Sequence, residues 1–499
     1  MKLDGKKIGF ISGGLLFFII LFIPAPGGMS VEAWRVVAST VLIAVFWVTE
    51  ALPIPATALI PILLFPLFGI MDSVTVTMSY GTNAVYLVMG GFFLAVTMEK
   101  WNIHRRVALK LVSLTGTTPS KMVLGFLIAT FLLSMWVSNS ACAVMMIPIG
   151  IAVTSSLTGK TSDPDIIKKE ANFTKSLMLI IAYASTIGGI TTIISTPANA
   201  IAVGILNTTY GINITFFQWM LVGVPLGIVM SVFVWFMLTK ILFRTGDLEL
   251  MGGREVIEEE QKKLGPMTRP EKLVFVVAGF MVVGWIARGF ISINALRMVT
   301  DTQVSIAGTL LLFIIPANKE ERLLDWQTAL KIPWGICLLL GGGIAIATAF
   351  EKTGLAGWIS EGLASIGGLT LFGTVLISTA VVCCLTEIVS NTAIATLFIP
   401  IMGAASTALG IHPLATIMAI CFASSMCFAM PVATPPNAIA FASGYLKIKD
   451  MAYAGLILNF ATIAMVVTAI MWWLPMVWGV DISFTPQSVL DFINANAGR

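Results

Sequence analysis

A short polar triplet occurs twice in this chain, each time inside a long apolar stretch. Ser-Asn-Ser stands at 138–140 and Ser-Asn-Thr stands at 390–392, which is 252 positions later. Flanking residues keep the same offset, among them Glu99 and Glu351. Polar groups are costly at membrane depth, so placing them twice at matched positions indicates an internal duplication with a binding site between the two halves.

The composition restricts the chain to one class of protein. Of its 499 residues, 57% are hydrophobic and 11% are charged, whereas a soluble globular protein carries about 25% charged residues. Too few polar side chains remain to cover a water-facing surface, so the sequence predicts an all-α protein that crosses a membrane many times. The six cysteines and two histidines lack the spacing of a metal site. The sequence contains no basic helix and no surface strip of basic and aromatic residues. We therefore expect no nucleic-acid partner.

Apolar segments of about 20 residues predict about eleven membrane-spanning helices in contact with lipid. They cover 8–25, 33–50, 53–70, 84–98, 174–206, 217–243, 272–289, 303–317, 333–350, 413–445 and 451–479. Two further apolar regions, hairpin 1 (121–157) and hairpin 2 (370–409), are each interrupted by a triplet. We predict that each hairpin is re-entrant, because irregular backbone at membrane depth is tolerated only where it lines a cavity inside the protein.

The distribution of Lys and Arg predicts the orientation. With the N-terminus in the cytoplasm, the external side holds only Arg35, Arg288, Arg297, Lys352 and Arg499. Cytoplasmic loops are normally rich in Lys and Arg, so we predict a cytoplasmic N-terminus and an external C-terminus. No organellar transit sequence precedes the first span, and we expect the plasma membrane. An odd number of spans separates Glu99 from Glu351, so the two repeats are predicted to be inverted.

A second pair of matched motifs interrupts two of the spans. Thr-Pro-Ala-Asn begins at Thr196 inside 174–206, called broken helix 1, and Thr-Pro-Pro-Asn begins at Thr434 inside 413–445, called broken helix 2. Proline lacks a backbone N–H and clashes with the preceding helical turn, so each motif predicts a break. Inverted repeats with broken helices are typical of alternating-access transporters that bind their substrate near the bilayer midplane.

Four such interruptions can bind ions of both signs. Backbone carbonyls at the end of one half-helix suit a small cation, and amides at the start of the next suit an anion. Ser134 and Thr386 lie one turn before the triplets and add hydroxyl oxygens to the same helical faces. Apart from Lys121 at the first residue of hairpin 1, the hairpins and breaks contain no Lys or Arg. A buried anion there therefore needs a bound cation, and the symmetry suggests two. For Glu387, we expect a structural or gating role in preference to ligation.

The motifs resemble those of a known family. TEIVSNTA and PVATPPNAIAFASG in the second half, and FWVTEALPIPATALIP near the start, are similar to the divalent anion/sodium symporters, the INDY-type di- and tricarboxylate carriers. The resemblance covers almost the whole chain. It implies a homodimer in which each subunit has a scaffold and a mobile transport domain that works as an elevator.

The resemblance also implies which residues bind substrate and sodium. The substrate carboxylates would be held by Ser138, Asn139, Ser140, Ser390, Asn391, Thr392 and Pro435. One sodium site would comprise Ser134, Ser138, Asn139 and the carbonyl region of Ser195. The other would comprise Thr386, Ser390, Asn391 and the carbonyl region of Ala433. The family usually has Thr where this chain has Ser140, and the first break reads TPAN; both departures keep the hydrogen-bonding groups.

The expected domains follow the repeats. They are the scaffold helices with a cytoplasmic amphipathic helix at 1–120, the first half of the transport domain at 121–243, a cytoplasmic linker at 244–271, further scaffold helices at 272–369, the second half of the transport domain at 370–480 and an external tail at 481–499.

The sequence predicts a secondary transporter of C4-type dicarboxylates such as succinate, malate or fumarate, a range that can extend to 2-oxoglutarate. Sodium-coupled uptake is favoured, with no organic cofactor. Sodium-independent exchange of dicarboxylates stays open, as do citrate or sulfate as substrates. An anion channel is a different class of alternative, which needs a continuous polar path. An enzyme is not expected, because the sequence offers no nucleophile with a base and no metal-ligand set.

Overall fold

The computed structural model describes residues 5–116, 118–155, 163–245, 253–288, 299–359 and 370–497. Within these ranges the regular structure is helical, apart from an isolated β-bridge between Pro316 and Arg322. The α-helices are Gly5–Phe22, Val31–Thr49, Ile54–Thr57, Ile60–Leu67, Ser73–Met78, Asn83–Lys100, Ile103–Ser113, Pro119–Ser134, Asn139–Ser155, Pro164–Gly189, Pro197–Tyr210, Phe216–Phe236, Gly253–Leu264, Arg269–Ala287, Asp301–Ile314, Trp326–Ala329, Trp334–Lys352, Leu371–Leu385, Asn391–Ala408, Pro413–Ser425, Pro435–Ala442, Ile448–Thr468, Leu474–Trp478 and Gln487–Ala497.

Length and apolar composition show that this is a multi-span membrane protein. Eight helices of the described chain are long and apolar enough to cross a bilayer. The first helix, Gly5–Phe22, illustrates the pattern, because large side chains such as Phe18 and Phe22 are exposed while Gly9 and Gly13 face the next helix. Small residues at a helix contact with large apolar ones outside are typical of packing in lipid.

The predicted span 53–70 is wrong as a single helix. The structure divides it into Ile54–Thr57 and Ile60–Leu67, with Pro53 as the N-cap of the first and Pro61 in the first turn of the second. Proline has no backbone N–H and fits the first turn of a helix better than its interior, so the closely spaced prolines produce two short helices.

Both hairpins are interrupted at their triplets. In hairpin 1 the first arm ends at Ser134 and the second begins at Asn139. In hairpin 2 the first arm ends at Leu385 and the second begins at Asn391. The asparagine of each triplet therefore starts the second arm, which leaves its first-turn amides without helical partners.

Both broken helices are interrupted before their Thr-Pro motifs. The first half of broken helix 1 ends at Gly189 and the second half begins at Pro197. The first half of broken helix 2 ends at Ser425 and the second half begins at Pro435. Pro at the start of the second half is compatible with a helical first turn and incompatible with a continuous helix.

The first halves of the broken helices form the centre of the protein. Residues 176–190 of broken helix 1 and all of Pro413–Ser425 are buried. The first arm of hairpin 1 packs along broken helix 1, and the second arm of hairpin 2 packs along broken helix 2. This packing brings each triplet to the break of its neighbouring helix.

Two long helices end in a lysine that faces an aspartate of the other half of the chain. The Lys100 Nζ lies 2.7 Å from Asp325 Oδ2, and this hydrogen bond holds the pKa of Asp325 well below its usual range. In the other half of the chain, hydrogen bonds from Thr75 lower the pKa of Asp72, and the charge of Lys352 adds a smaller contribution. Asp72 and Asp325 each cap the short helix that follows.

The predicted linker 244–271 lies partly outside the described residues. Its described part contains the helix Gly253–Leu264, which packs on the amphipathic helix Ile103–Ser113. Arg106 holds the end of the linker, because its guanidinium donates to the Glu271 carboxylate at 2.9 Å and to the carbonyl of Gly265 at 2.8 Å.

Candidate functional site

Both triplets and both breaks line one cavity of about 730 Å³. Nearly all residues predicted to bind substrate or sodium lie on its wall: Ser138, Asn139, Ser140, Ser195, Ser390, Asn391, Thr392, Ala433 and Pro435. The two other predicted residues, Ser134 and Thr386, lie behind the wall and are buried. The sequence therefore identified residues that the fold brings together from four separate segments.

Four helices begin at this cavity. They are the second arms of the hairpins, which start at Asn139 and Asn391, and the second halves of the broken helices, which start at Pro197 and Pro435. A helix N-terminus carries a partial positive charge and unpaired N–H groups, so it attracts anions. No Lys or Arg lines the cavity among the described residues. The attraction for an anion therefore comes from backbone and neutral polar groups.

A cluster of oxygens lies behind the first triplet. The buried Ser134 Oγ is 2.9 Å from Asn139 Oδ1 and 2.5 Å from the carbonyl oxygen of Ser185. Both neighbours are acceptors, and the hydroxyl has a single proton to donate. Three oxygens that share one proton form a donor set suited to a small hard cation such as sodium.

The second triplet has a matching cluster. Thr386 Oγ1 lies 2.7 Å from Asn391 Oδ1 and 2.8 Å from the carbonyl oxygen of Ser424. Thr386 and Asn391 stand 252 positions after Ser134 and Asn139. The two clusters therefore consist of equivalent side chains in the two halves of the chain.

The asparagine of each Thr-Pro motif holds its break in shape. Asn199 Nδ2 donates to the carbonyls of Gly189 at 2.9 Å and Thr192 at 2.7 Å. Asn437 Nδ2 makes the corresponding bond to the Met430 carbonyl at 3.1 Å. These carbonyls have lost their helical partners, so the amides satisfy groups that are costly to bury unpaired. The sequence showed both asparagines in the motif but did not reveal this role.

Glu387 does not line the cavity. Its buried carboxylate accepts hydrogen bonds from the backbone amides of Phe428 at 2.8 Å, Ala429 at 3.0 Å and Met430 at 2.9 Å, and from Asn459 Nδ2 at 2.7 Å. The carboxylate thereby fixes the unwound segment of broken helix 2. This geometry agrees with the structural role expected from the sequence and gives no support to ligation.

The sequence did not predict one wall of the cavity. The end of the helix Val31–Thr49 contributes Trp47, Thr49 and Glu50, and Ile336 completes this side. The Glu50 carboxylate is more than half exposed and lies 3.9 Å from Lys6 Nζ. The motif around Glu50 was a signal for the family, but only the fold places it beside the triplets.

A second cavity of about 320 Å³ lies beside hairpin 1 and is lined by Glu99, His104 and Cys142 together with apolar side chains. His104 is partly buried, and its Nδ1 lies 3.1 Å from the Met98 carbonyl. Burial lowers the pKa of His104, and the Met98 carbonyl opposes this effect.

The model of the sodium:sulfate symporter transmembrane region matches residues 10–480. The chain belongs to the sodium:sulfate symporter family. The family predicted from the motifs is thereby confirmed, and it is a family of membrane transporters, not of enzymes.

Relatives within the sodium:sulfate symporter family include two proteins named sodium-dependent dicarboxylate transporter SdcS. The protein from Staphylococcus saprophyticus is 39% identical over 490 residues, which span 96% of this chain and 93% of the relative. The protein from Staphylococcus aureus is 40% identical over the same length, with the same coverage of both chains.

Two solved structures share the fold of this family member. The YdaH transporter of Alcanivorax borkumensis superposes with a TM-score of 0.55 over 95% of this chain and 97% of that chain, at 10% identity. MtrF of Neisseria gonorrhoeae gives a TM-score of 0.53 over 97% of each chain, at 11% identity. At such low identity the likeness concerns the fold alone.

Proposed function

We propose that this protein is a sodium-coupled symporter of C4-type dicarboxylates such as succinate, malate and fumarate. The observation that carries the proposal is a polar cavity where four helix N-termini meet without a Lys or Arg in the described wall. Neutral donors can orient carboxylates but leave their charge uncompensated, so sodium bound beside them lowers the cost of burying the substrate.

Each triplet in this proposal binds one end of the substrate. Two separate polar clusters suit a molecule with a carboxylate at each end better than a single compact anion such as sulfate. The SdcS relatives, named as dicarboxylate transporters, support this choice. The residues assigned to the substrate are Ser138, Asn139, Ser140, Ser390, Asn391, Thr392 and Pro435.

Two sodium ions are assigned to the two oxygen clusters. The first would bind near Ser134, Ser138, Asn139 and the Ser195 carbonyl region, and the second near Thr386, Ser390, Asn391 and the Ala433 carbonyl region. In each cluster, three oxygens share a single hydroxyl proton. This feature and the equivalence of the clusters in the two halves of the chain support the assignment.

The proposed mechanism is alternating access by an elevator movement in a homodimer. Inverted repeats are supported by the constant offset of the triplets, by the Lys100–Asp325 ion pair and by the weaker charge interaction of Lys352 with Asp72, each of which links opposite halves of the chain. The hairpins and broken helices would form the mobile domain, and the remaining long helices would form the scaffold. The Lys and Arg distribution supports a cytoplasmic N-terminus, an external C-terminus and a location in the plasma membrane.

Ligand-dependent stability tests the proposed binding site. Succinate at 100 times its dissociation constant stabilises a folded protein by about 2.7 kcal/mol. We expect purified protein to show a higher melting temperature with succinate in NaCl than with succinate in KCl, because substrate binding requires sodium. Sulfate and citrate are tested in the same way as alternative ligands. An equal rise in both salts would contradict sodium coupling, and a rise with sulfate alone would contradict the dicarboxylate assignment.

A further inference from the structure

The two oxygen clusters differ at one position of the neighbouring break. Gly189 of broken helix 1 and Cys427 of broken helix 2 occupy equivalent places, because each lies ten residues before the asparagine that donates towards its carbonyl. A Cβ atom on Gly189 would overlap the side-chain amide of Asn139. The first break therefore has no side chain at this point, whereas the second carries a thiol.

The thiol of Cys427 touches the second cluster directly. Its Sγ lies 3.1 Å from Asn391 Oδ1 and 3.9 Å from Thr386 Oγ1, and the residue is fully buried. A thiol is a weak hydrogen-bond donor, and an amide oxygen has two lone pairs. Asn391 Oδ1 thus faces two donors: the Cys427 thiol, and the Thr386 hydroxyl, whose single proton is shared with the Ser424 carbonyl.

This difference changes the number of free lone pairs in the two clusters. At the first triplet, the described contacts of Asn139 Oδ1 include a donor only from Ser134, so one lone pair can point to a cation. At the second triplet, both lone pairs of Asn391 Oδ1 face donors. A cation that uses this oxygen has to displace one of the two hydrogen bonds.

We propose that Cys427 determines the cation affinity of the second site, by holding Asn391 Oδ1 in a hydrogen bond that sodium must break. The inference rests on the proposed function, because it assumes that the cluster around Thr386 binds sodium. It makes the two sites unequal: the second fills at a higher sodium concentration than the first and limits coupled uptake.

The test compares Cys427→Ala and Cys427→Ser with Cys421→Ala as the matched control. Cys421 is equally buried in the first half of broken helix 2, but its thiol points to Asn199 Oδ1, away from the cluster. The assay is succinate uptake into proteoliposomes as a function of sodium concentration. The succinate KM at saturating sodium is measured in parallel.

Removal of the thiol donor in Cys427→Ala is expected to lower the sodium concentration for half-maximal uptake about threefold, since one weak hydrogen bond no longer competes. Cys427→Ser keeps a donor and is expected to match or exceed the wild-type value, and Cys421→Ala is expected to match it. The succinate KM at saturating sodium stays unchanged in all variants.

An unchanged or higher half-saturating concentration in Cys427→Ala overturns the inference, as does an equal decrease in Cys427→Ser. These outcomes differ from failure of the proposed function itself. If wild-type uptake shows no dependence on sodium at all, the sodium sites are wrong and the role of Cys427 falls with them.

Discussion

Replacement of Asn391 by alanine will abolish sodium-driven succinate uptake, and so will replacement of Asn139. Each asparagine contributes to both the sodium site and the substrate site in the proposal. Its Oδ1 belongs to an oxygen cluster, and its amide faces the cavity at the start of a helix. A hydrogen bond to a charged group contributes about 1.5–3 kcal/mol, so loss of both the sodium and the substrate interactions reduces uptake by at least about a hundredfold.

Uptake of labelled succinate into proteoliposomes, at equal amounts of reconstituted protein, measures this loss. Asn207→Ala is a suitable control, because Asn207 lies near the far end of broken helix 1 and bonds only Asn213 among the described side chains. The control is expected to transport at the wild-type rate. Wild-type uptake by either Asn139→Ala or Asn391→Ala would contradict the assignment of the triplets.

The second large effect is expected for Gly189→Ala. The added Cβ would overlap the Asn139 amide, and the neighbouring backbone of the break cannot move away because this part of broken helix 1 is fully buried. Asn139 would have to leave its position beside Ser134, which destroys the first oxygen cluster. We expect uptake to fall to background, with an overpacking cost in stability of about 1–3 kcal/mol.

Gly279→Ala provides the comparison for this variant. Gly279 also lies in a helix, but a Cβ there meets no atom within 4 Å, so the substitution is expected to leave uptake unchanged and to stabilise the helix slightly. Sodium-dependent uptake is measured for both variants, together with their melting temperatures. A Gly189→Ala protein with normal uptake would show that the first cluster does not need Asn139 in its present position.

The positions of the breaks and the members of the site could be read from the sequence because they rest on local chemistry. Pro197 and Pro435 prevent a continuous helix wherever their segments lie in the fold. A Ser-Asn triplet inside an apolar stretch is costly unless it lines a cavity. The constant offset then pairs the two sets of motifs. The residues in question meet in one cavity in the structure.

The remaining features depend on tertiary contacts that no local pattern encodes. Glu387 had no counterpart in the first half of the chain, and its role became clear only when its carboxylate was found on the amides of Phe428 to Met430. The wall formed by Trp47 and Glu50 comes from a helix about 90 residues before the first triplet. The spacing of the motifs aligns Gly189 with Cys427, but only the structure shows that the Cys427 thiol contacts Asn391.

Uptake of labelled succinate into proteoliposomes, with empty or succinate-loaded interiors and with or without an inward sodium gradient, tests the central claim most directly. Sodium-coupled symport predicts uptake into empty vesicles that requires the sodium gradient. Uptake only into loaded vesicles, indifferent to sodium, would contradict it. That result would establish exchange and would leave the charge of the buried carboxylates to be balanced by something other than sodium.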